Sequence, residues 1–317
     1  MRKSREFRLV IGVCAGAALL LWADLPSSRG VRAAAAQPEA VSAVQPGNGT
    51  TLAKDAFYNQ IQAQLRDHSL WCYQETKQEN GQKKLYGVCQ AQGGEIDRLR
   101  AVNSSPLDAA QQQAEDQRIR GLLASPRELR RQERKQEQDD EQARNLMRVF
   151  SQAFRFQYVG SENGLAEVRF APDPDFRPSS RAARVFHHLQ GTLFINQRQK
   201  RLAEIDGLLT SEVKFLGGLL GHLDAGGTFQ VQQKDLGSGQ WELTRLHVQM
   251  TGKALIFHTI AVQEDETDTD FRKEPEDTSM QQAFVELLQE SVDLHESGRA
   301  RHLHDGLPAV LRYFSHQ

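Results

Sequence analysis

The chain has 317 residues, of which 39% are hydrophobic and 25% charged, and its formal net charge is −2. This length suffices for one large domain or two modest ones, and the hydrophobic content suffices for a packed core. A charge so close to neutral removes any general argument for nucleic-acid binding, which depends on a strongly basic surface. The mean hydropathy of −0.58 indicates that part of the chain is solvated.

The N-terminal region has the layout of a secretory signal peptide. Four basic residues among the first eight precede an apolar run from Leu9 to Trp22, and the small residues Ala33–Ala36 then offer A-x-A cleavage sites. The apolar run is shorter than the roughly 20 residues that span a bilayer. We therefore predict a signal peptide over residues 1–36 and export across the inner membrane to the periplasm. A membrane anchor formed by an uncleaved segment is the alternative.

Cleavage would leave Cys72 and Cys89 as the two cysteines of the mature chain, because the third, Cys14, leaves with the signal peptide. The same cleavage removes six basic and two acidic residues, which takes the net charge from −2 to about −6. An oxidising compartment favours pairing of the two remaining thiols.

The residues between these cysteines predict how they pair. Asn80-Gly81 lies midway between them, and Asn-Gly flanked by strand-like residues is a strong signal for a two-residue hairpin turn. With that turn, Cys72 and Cys89 form a non-hydrogen-bonded pair with Cα atoms roughly 4.5 Å apart, which suits a disulfide. The alternatives are two unrelated buried thiols, or a redox-active pair, for which the usual C-x-x-C spacing is missing.

Helices are predicted on both sides of this hairpin. Residues 37–51 are rich in proline, glycine and small polar residues and predict a flexible linker, followed over residues 52–100 by a helix and the hairpin. Within residues 101–150, Ser105-Pro106 and Ser125-Pro126 both resemble helix starts, with a capping serine and proline at the first helical position.

The second of these helices is unusually polar. RELRRQERKQEQDDEQAR, residues 127–144, has almost no apolar face. Its acidic and basic residues are interleaved, which is typical of a solvated helix. Docking of a charged partner is the alternative interpretation.

From Phe154 the hydrophobic period changes to two, which predicts strands. Several short strands follow at regular spacing without intervening helices, so we predict an antiparallel β domain over residues 151–275. The acidic segment EDETDTD, residues 264–270, predicts a loop at its end, and helices return over residues 276–317. The predicted fold class is therefore α+β, a curved antiparallel sheet covered by helices.

Signatures of catalysis and of metal binding are weak. The chain has no G-x-S-x-G elbow and no G-K-[ST] phosphate loop. Asp265, Asp268 and Asp270 resemble a calcium loop but lack its glycine and its terminal glutamate. We therefore predict no catalytic residue, no cofactor and no metal site, with an enzyme acting on envelope polymers as an alternative.

Two strands and the turn between them carry a family resemblance. GTLFINQRQKRLAEIDGLL, residues 191–209, and the later strand that begins at Trp241 are similar to strands of bacterial LolA-like envelope proteins, which sort outer-membrane lipoproteins. The resemblance covers about residues 145–275. It implies a half-barrel whose concave apolar face lies under helices and, in the lipoprotein carriers, takes acyl chains.

Apolar residues of the strands are available to line such a cavity, although the same residues would also form an ordinary core. The candidate lining residues are Phe156, Tyr158, Phe170, Leu193, Ile195, Ile205, Phe229, Trp241, Leu243, Leu255 and Phe257. Our hypothesis is an envelope protein that binds or carries a lipid, a lipoprotein acyl chain or another hydrophobic ligand without catalysis. A module that docks an envelope protein through residues 127–144 is the alternative.

Overall fold

The structure is a computed structural model that describes residues 46–289, except Asn80, Arg181, residues 216–220, Ser238 and residues 255–257. The predicted signal peptide, residues 37–45 of the predicted linker and the chain beyond residue 289 lie outside the described residues, whereas residues 46–51 of that linker are helical.

Helices and strands alternate in blocks along the chain. The helices are α1 (Pro46–Arg66), α2 (Ala109–Leu123), α3 (Pro126–Ala153), a 3-10 helix (Ala182–His188) and α4 (280–289). The strands of the first block are β1 (Leu70–Glu79), β2 (Gln82–Ala91), β3 (Gly94–Val102) and β4 (Ser105–Pro106). Those of the second block are β5 (Phe154–Glu162), β6 (Leu165–Pro172), β7 (Leu189–Asn196), β8 (Arg201–Leu209), β9 (Val213–Phe215), β10 (Gly221–Leu223), β11 (Thr228–Asp235), β12 (Trp241–Ala254) and β13 (His258–Glu274).

All of these strands belong to one open antiparallel sheet. Its order is β4-β3-β2-β1-β13-β12-β11-β8-β7-β6-β5, with β10 paired to the end of β12 and β9 paired to β10. The predicted α+β class, with an antiparallel sheet and several helices, is confirmed. The pairing of β1 with β13 joins the N-terminal hairpin to the predicted β domain in a single sheet.

The prediction of a loop over residues 264–270 is wrong, because these residues lie within β13. They pair with β1 on one side and with β12 on the other. Acidic side chains disfavour strands, but Glu266 and Asp268 are buried, and the ammonium group of Lys77 on β1 compensates the charge of Glu266.

The predicted hairpin is confirmed in its register and in its disulfide. Glu79 pairs with Gln82 beside the turn, and Cys72 pairs with Cys89 with Cα atoms 4.1 Å apart. Gly81 has a φ of 75°, a conformation that glycine adopts without strain. Asn80 lies outside the described residues.

One of the two predicted helix starts is correct. Ser125 caps α3 and Pro126 is its first residue, as expected. The helix start predicted at Ser105-Pro106 is wrong, since these residues form β4 and α2 begins after Asp108. Asp108 and Gln111 each accept a hydrogen bond from the other's backbone N–H, so this capping box satisfies two donors where Ser105 would satisfy one.

The largest core lies where α1 and the C-terminal half of α3 pack on the strands from β5 to β12. Its centre is aromatic, with the Phe150 ring of α3 between 4.4 and 5.5 Å from four other phenylalanine rings. Those rings belong to Phe57, Phe154, Phe170 and Phe186. Such tilted contacts add to the free energy gained by burying the rings.

A smaller core surrounds the disulfide. Cys72, Cys89 and Ile96 pack against buried residues of α2 and α4, among them Ile119 and Phe284. Because side chains alternate along a strand, Trp71 and Tyr73 point to the other side, where they contact Phe271.

Removing the disulfide should destabilise the whole sheet, because the hairpin that it closes carries β1. We expect the double substitution Cys72→Ser and Cys89→Ser to lower the free energy of unfolding by about 3 kcal/mol, the loop-closure effect for a separation of this size. Urea unfolding measures it, and the wild-type protein kept in reductant is the control. A double variant as stable as the oxidised wild type would contradict the expectation.

Candidate ligand-binding site

Most of the residues predicted to line a ligand cavity lie in the largest core. Phe156, Phe170, Leu193, Ile195, Ile205, Phe229 and Leu243 are buried there, and Tyr158 packs against them. Trp241 is also buried, and its indole N–H donates a hydrogen bond to Gln199 at 2.6 Å. Leu255 and Phe257 lie outside the described residues. The burial of these side chains under α1 and α3 is what the ordinary-core interpretation expects.

A cavity of about 460 Å³ lies at the other end of the sheet, between strands β1–β4 and α2. Its size falls within the range of small-molecule sites. The lining residues are Thr76, Lys83, Leu85, Arg98, Leu99, Arg100, Ala101, Ser104, Pro106 and Gln112. The hairpin that the cysteines predict therefore provides two walls of this cavity, β1 and β2, which the periodicity of the strands did not reveal.

An irregularity in β3 affects the position of Arg100, one of the two arginines of the cavity. The register of β2 and β3 shifts between Leu85 and Tyr86, so that Arg100 is an extra residue of β3. Its guanidinium group lies over Gly87, and a Cβ at that position would collide with it. Glycine at position 87 therefore provides the space in which Arg100 lies beside Arg98.

The cations of the cavity differ in exposure. Arg98 and Arg100 are only 4% and 9% exposed, whereas Lys83 is exposed at the rim. Arg98 Nε donates a hydrogen bond to Asp116 Oδ1 of α2 at 2.8 Å, which compensates part of the cost of burying its charge. The described residues that line the cavity include these three cations and no aspartate or glutamate, since Asp116 pairs with Arg98 from outside the lining. The walls can therefore hold an apolar group together with an anionic one.

A second network fixes α2 against the cavity wall. The Leu99 backbone N–H donates to Glu115 Oε1 at 2.9 Å, and Arg118 of α2 donates to the Glu115 carboxylate and to the Asp97 carbonyl oxygen. Burial alone would raise the pKa of Glu115, but the hydrogen bonds from Arg118 and Leu99 outweigh it, and the pKa is lowered. Glu115 is therefore ionised and holds the backbone of β3 beside Arg98 and Arg100.

Buried carboxylates form a separate cluster between β1 and β13. Glu75, Glu266 and Asp268 are 2%, 1% and 4% exposed, and their carboxylate oxygens lie within 4.8 Å of one another. Oxygen ligands of this kind suit hard cations. However, Lys77 Nζ lies 3.0 Å from both Glu75 and Glu266, so its ammonium group already supplies positive charge there. We interpret the cluster as a buried ion-pair network.

The cluster differs from the calcium loop considered in the sequence. Of the three aspartates of that loop, only Asp268 belongs to it; Asp265 lies 3.6 Å from His247 and Asp270 is exposed. Glu266 could have been found from the period of two, had residues 264–270 been recognised as a strand.

An acidic pair lies on the strand β8. Burial, and then the charge of Glu204, raise the pKa of Asp206 to about 6. Gln230 of the neighbouring strand donates a hydrogen bond to Glu204 Oε1 at 2.7 Å. The half-buried Asp206 thus holds its proton to a higher pH than an ordinary aspartate.

The chain matches no protein-family model, and comparisons with curated proteins and with solved structures likewise give no match. The LolA-like resemblance therefore stays a prediction from the strand and turn pattern. None of the helices among the described residues is both long enough and apolar enough to cross a membrane.

Removing the ammonium group from the acidic cluster should be strongly destabilising. We expect Lys77→Met to lower the free energy of unfolding by about 3–5 kcal/mol, because it leaves buried carboxylates without their cation. Adding Glu266→Gln should restore part of the loss. Chemical denaturation measures both, and equal stability of Lys77→Met and the wild type would show that the network is not a determinant of stability.

The raised pKa of Asp206 predicts a pH dependence. Between about pH 4 and about pH 6 the unfolded chain ionises this group while the folded protein keeps it protonated, so rising pH lowers stability through that window. We therefore expect Asp206→Asn to stabilise the protein at about pH 7 and to have less effect at about pH 4. Denaturation at both pH values measures this, with Asp277→Asn, at an exposed position, as the control for loss of one charge. The same change at both pH values would contradict it.

Proposed function

We propose that this protein is a secreted, non-catalytic binding protein for an amphiphilic anion, such as a lipid with an acidic headgroup. The observation that carries the proposal is the cavity between β1–β4 and α2, which combines apolar walls with two buried arginines. The secreted location rests on the signal peptide predicted over residues 1–36.

The apolar part of the ligand would lie against Leu85, Leu99, Ala101 and Pro106. Each methylene group of a chain that leaves water for such a surface gains roughly 0.8 kcal/mol. A few buried methylene groups therefore suffice for binding without any chemical step.

The anionic part would lie against Arg98 and Arg100. Hydrogen bonds from a guanidinium group to a carboxylate or a phosphate are charge-assisted and are stronger than hydrogen bonds between neutral groups. Because both arginines are buried, their charges are little screened by salt.

The composition of the cavity supports binding more than catalysis. Among its described lining residues there is no histidine, cysteine, aspartate or glutamate. These are the side chains that most often transfer protons or attack a substrate. The alternative of an envelope hydrolase therefore has no support from this cavity.

Replacing Arg100 separates the anionic part of the interaction from the apolar part. We expect Arg100→Met to weaken binding of a long-chain fatty acid by roughly 10–100-fold, the effect of losing one hydrogen bond to a charged group. Binding of the matching fatty alcohol should change little. Displacement of a fluorescent fatty acid measures both ligands, and Arg169→Met, at an exposed position on β6, is the control.

A second substitution tests the cavity itself. Thr76→Trp fills part of the space beside β1, and it should weaken the acid and the alcohol alike. A wild-type protein that binds neither ligand would refute the proposed function. Loss of binding in Arg169→Met but not in Arg100→Met would place the site elsewhere.

A further inference from the structure

In the N-terminal half of α3, basic and acidic residues alternate along the sequence, but they differ in how far they are exposed. Arg127, Arg130, Arg131, Arg134 and Lys135 are all exposed. Their spacing of three and four residues places them on one side of the helix, over a length of about 12 Å. We call these five residues the basic face.

Most acidic residues of the same segment lie toward the protein. Alongside the basic face they are half-buried or buried, and they comprise Glu128, Glu133, Glu137, Asp139 and Asp140; Glu141, two turns beyond Arg134, is exposed. The buried stripe of Ala143, Met147 and Phe150 sets the rotation of the helix, and continuing that stripe toward the N-terminus places Asp140 inside. Packing of the C-terminal half of α3 therefore directs the cations of its N-terminal half outward.

The basic face is largely uncompensated. Arg131 pairs with Glu128 at 3.2 Å, with its own side chain 75% exposed. The other four cations form no ion pair with a residue that the structure describes. A net charge of −2 for the whole chain thus coexists with a local positive surface.

We propose that the basic face docks the protein on an anionic membrane surface. Clusters of arginine and lysine near such a surface are attracted by its negative potential, and each cation adds to the attraction. From Pro126 to Gln138 the other exposed residues are Pro126, Gln132 and Gln138, so this side of the helix offers no large apolar side chain for insertion. The docking is therefore electrostatic and peripheral.

The same composition argues against a folded protein as the partner. Protein interfaces draw most of their binding energy from a few aromatic or apolar anchors in a desolvated centre. The basic face provides long, solvated cations without such an anchor. A membrane surface with many mobile phosphate groups therefore suits the basic face better than the fixed surface of a folded protein.

The test compares charge reversal on the basic face with reversal elsewhere on the full chain. The probes are phosphatidylcholine vesicles with and without phosphatidylglycerol, and co-sedimentation measures the bound fraction. We expect the wild type to associate with the anionic vesicles and to be released by high salt. Arg130→Glu with Arg134→Glu should reduce that association roughly tenfold or more.

The matched control is Arg184→Glu with Arg198→Glu, which makes the same change in net charge at exposed positions outside α3. It should keep the association of the wild type, and circular dichroism should show that both double variants are folded. Equal losses in the two variants, association that does not depend on phosphatidylglycerol, or no effect of the reversal on α3 would each overturn the proposal. An acidic protein that binds the wild type while anionic vesicles do not would also overturn it.

The basic face and the cavity lining share no residue. The reversed residues do not line the cavity, so the α3 variant should bind a fatty acid as the wild type does. Failure of ligand binding and failure of membrane docking are therefore observed separately.

Discussion

The pairing of β1 with β13 is the contact on which the rest of the structure depends. It attaches the disulfide-linked hairpin to the long strands of the second block, so that one sheet carries both cores. The pairing places Glu75 beside Asp268 and Lys77 beside Glu266, which brings buried carboxylates together around one ammonium group. Charges buried in this way add to the specificity of a register, because any shift would leave them without partners.

The same strand separates two sites of opposite charge. Side chains alternate along β1, so Thr76 lines the cavity while Glu75 and Lys77 point to the other face. Buried arginines therefore lie on one side of the strand and buried carboxylates on the other.

Local signals predicted a good part of the fold, whereas contacts distant in the sequence were missed. The turn at Asn80-Gly81 predicted the cysteine pairing, and the change of period at Phe154 predicted the β domain. The strand over residues 264–270 was missed because Lys77, which pairs with its buried Glu266, lies far away in the sequence. The bulge at Arg100 was missed for a similar reason, since no local pattern shows that Gly87 leaves room for a guanidinium group. The basic face could have been predicted from the sequence. Extending the apolar stripe of α3 toward its N-terminus places most of the acidic residues on the inner side of the helix and the basic residues on the outer side.

Apolar periodicity predicts which side chains are buried, but it does not predict where space remains. The aromatic rings around Phe150 pack closely under α1 and α3, whereas the cavity lies where α2 rests on the bulged β3. Helix α3 follows α2 after Ala124 and Ser125 and also contacts β3. The tight aromatic packing and the open cavity thus arise from different helices on one sheet, and only long-range contacts decide which is which.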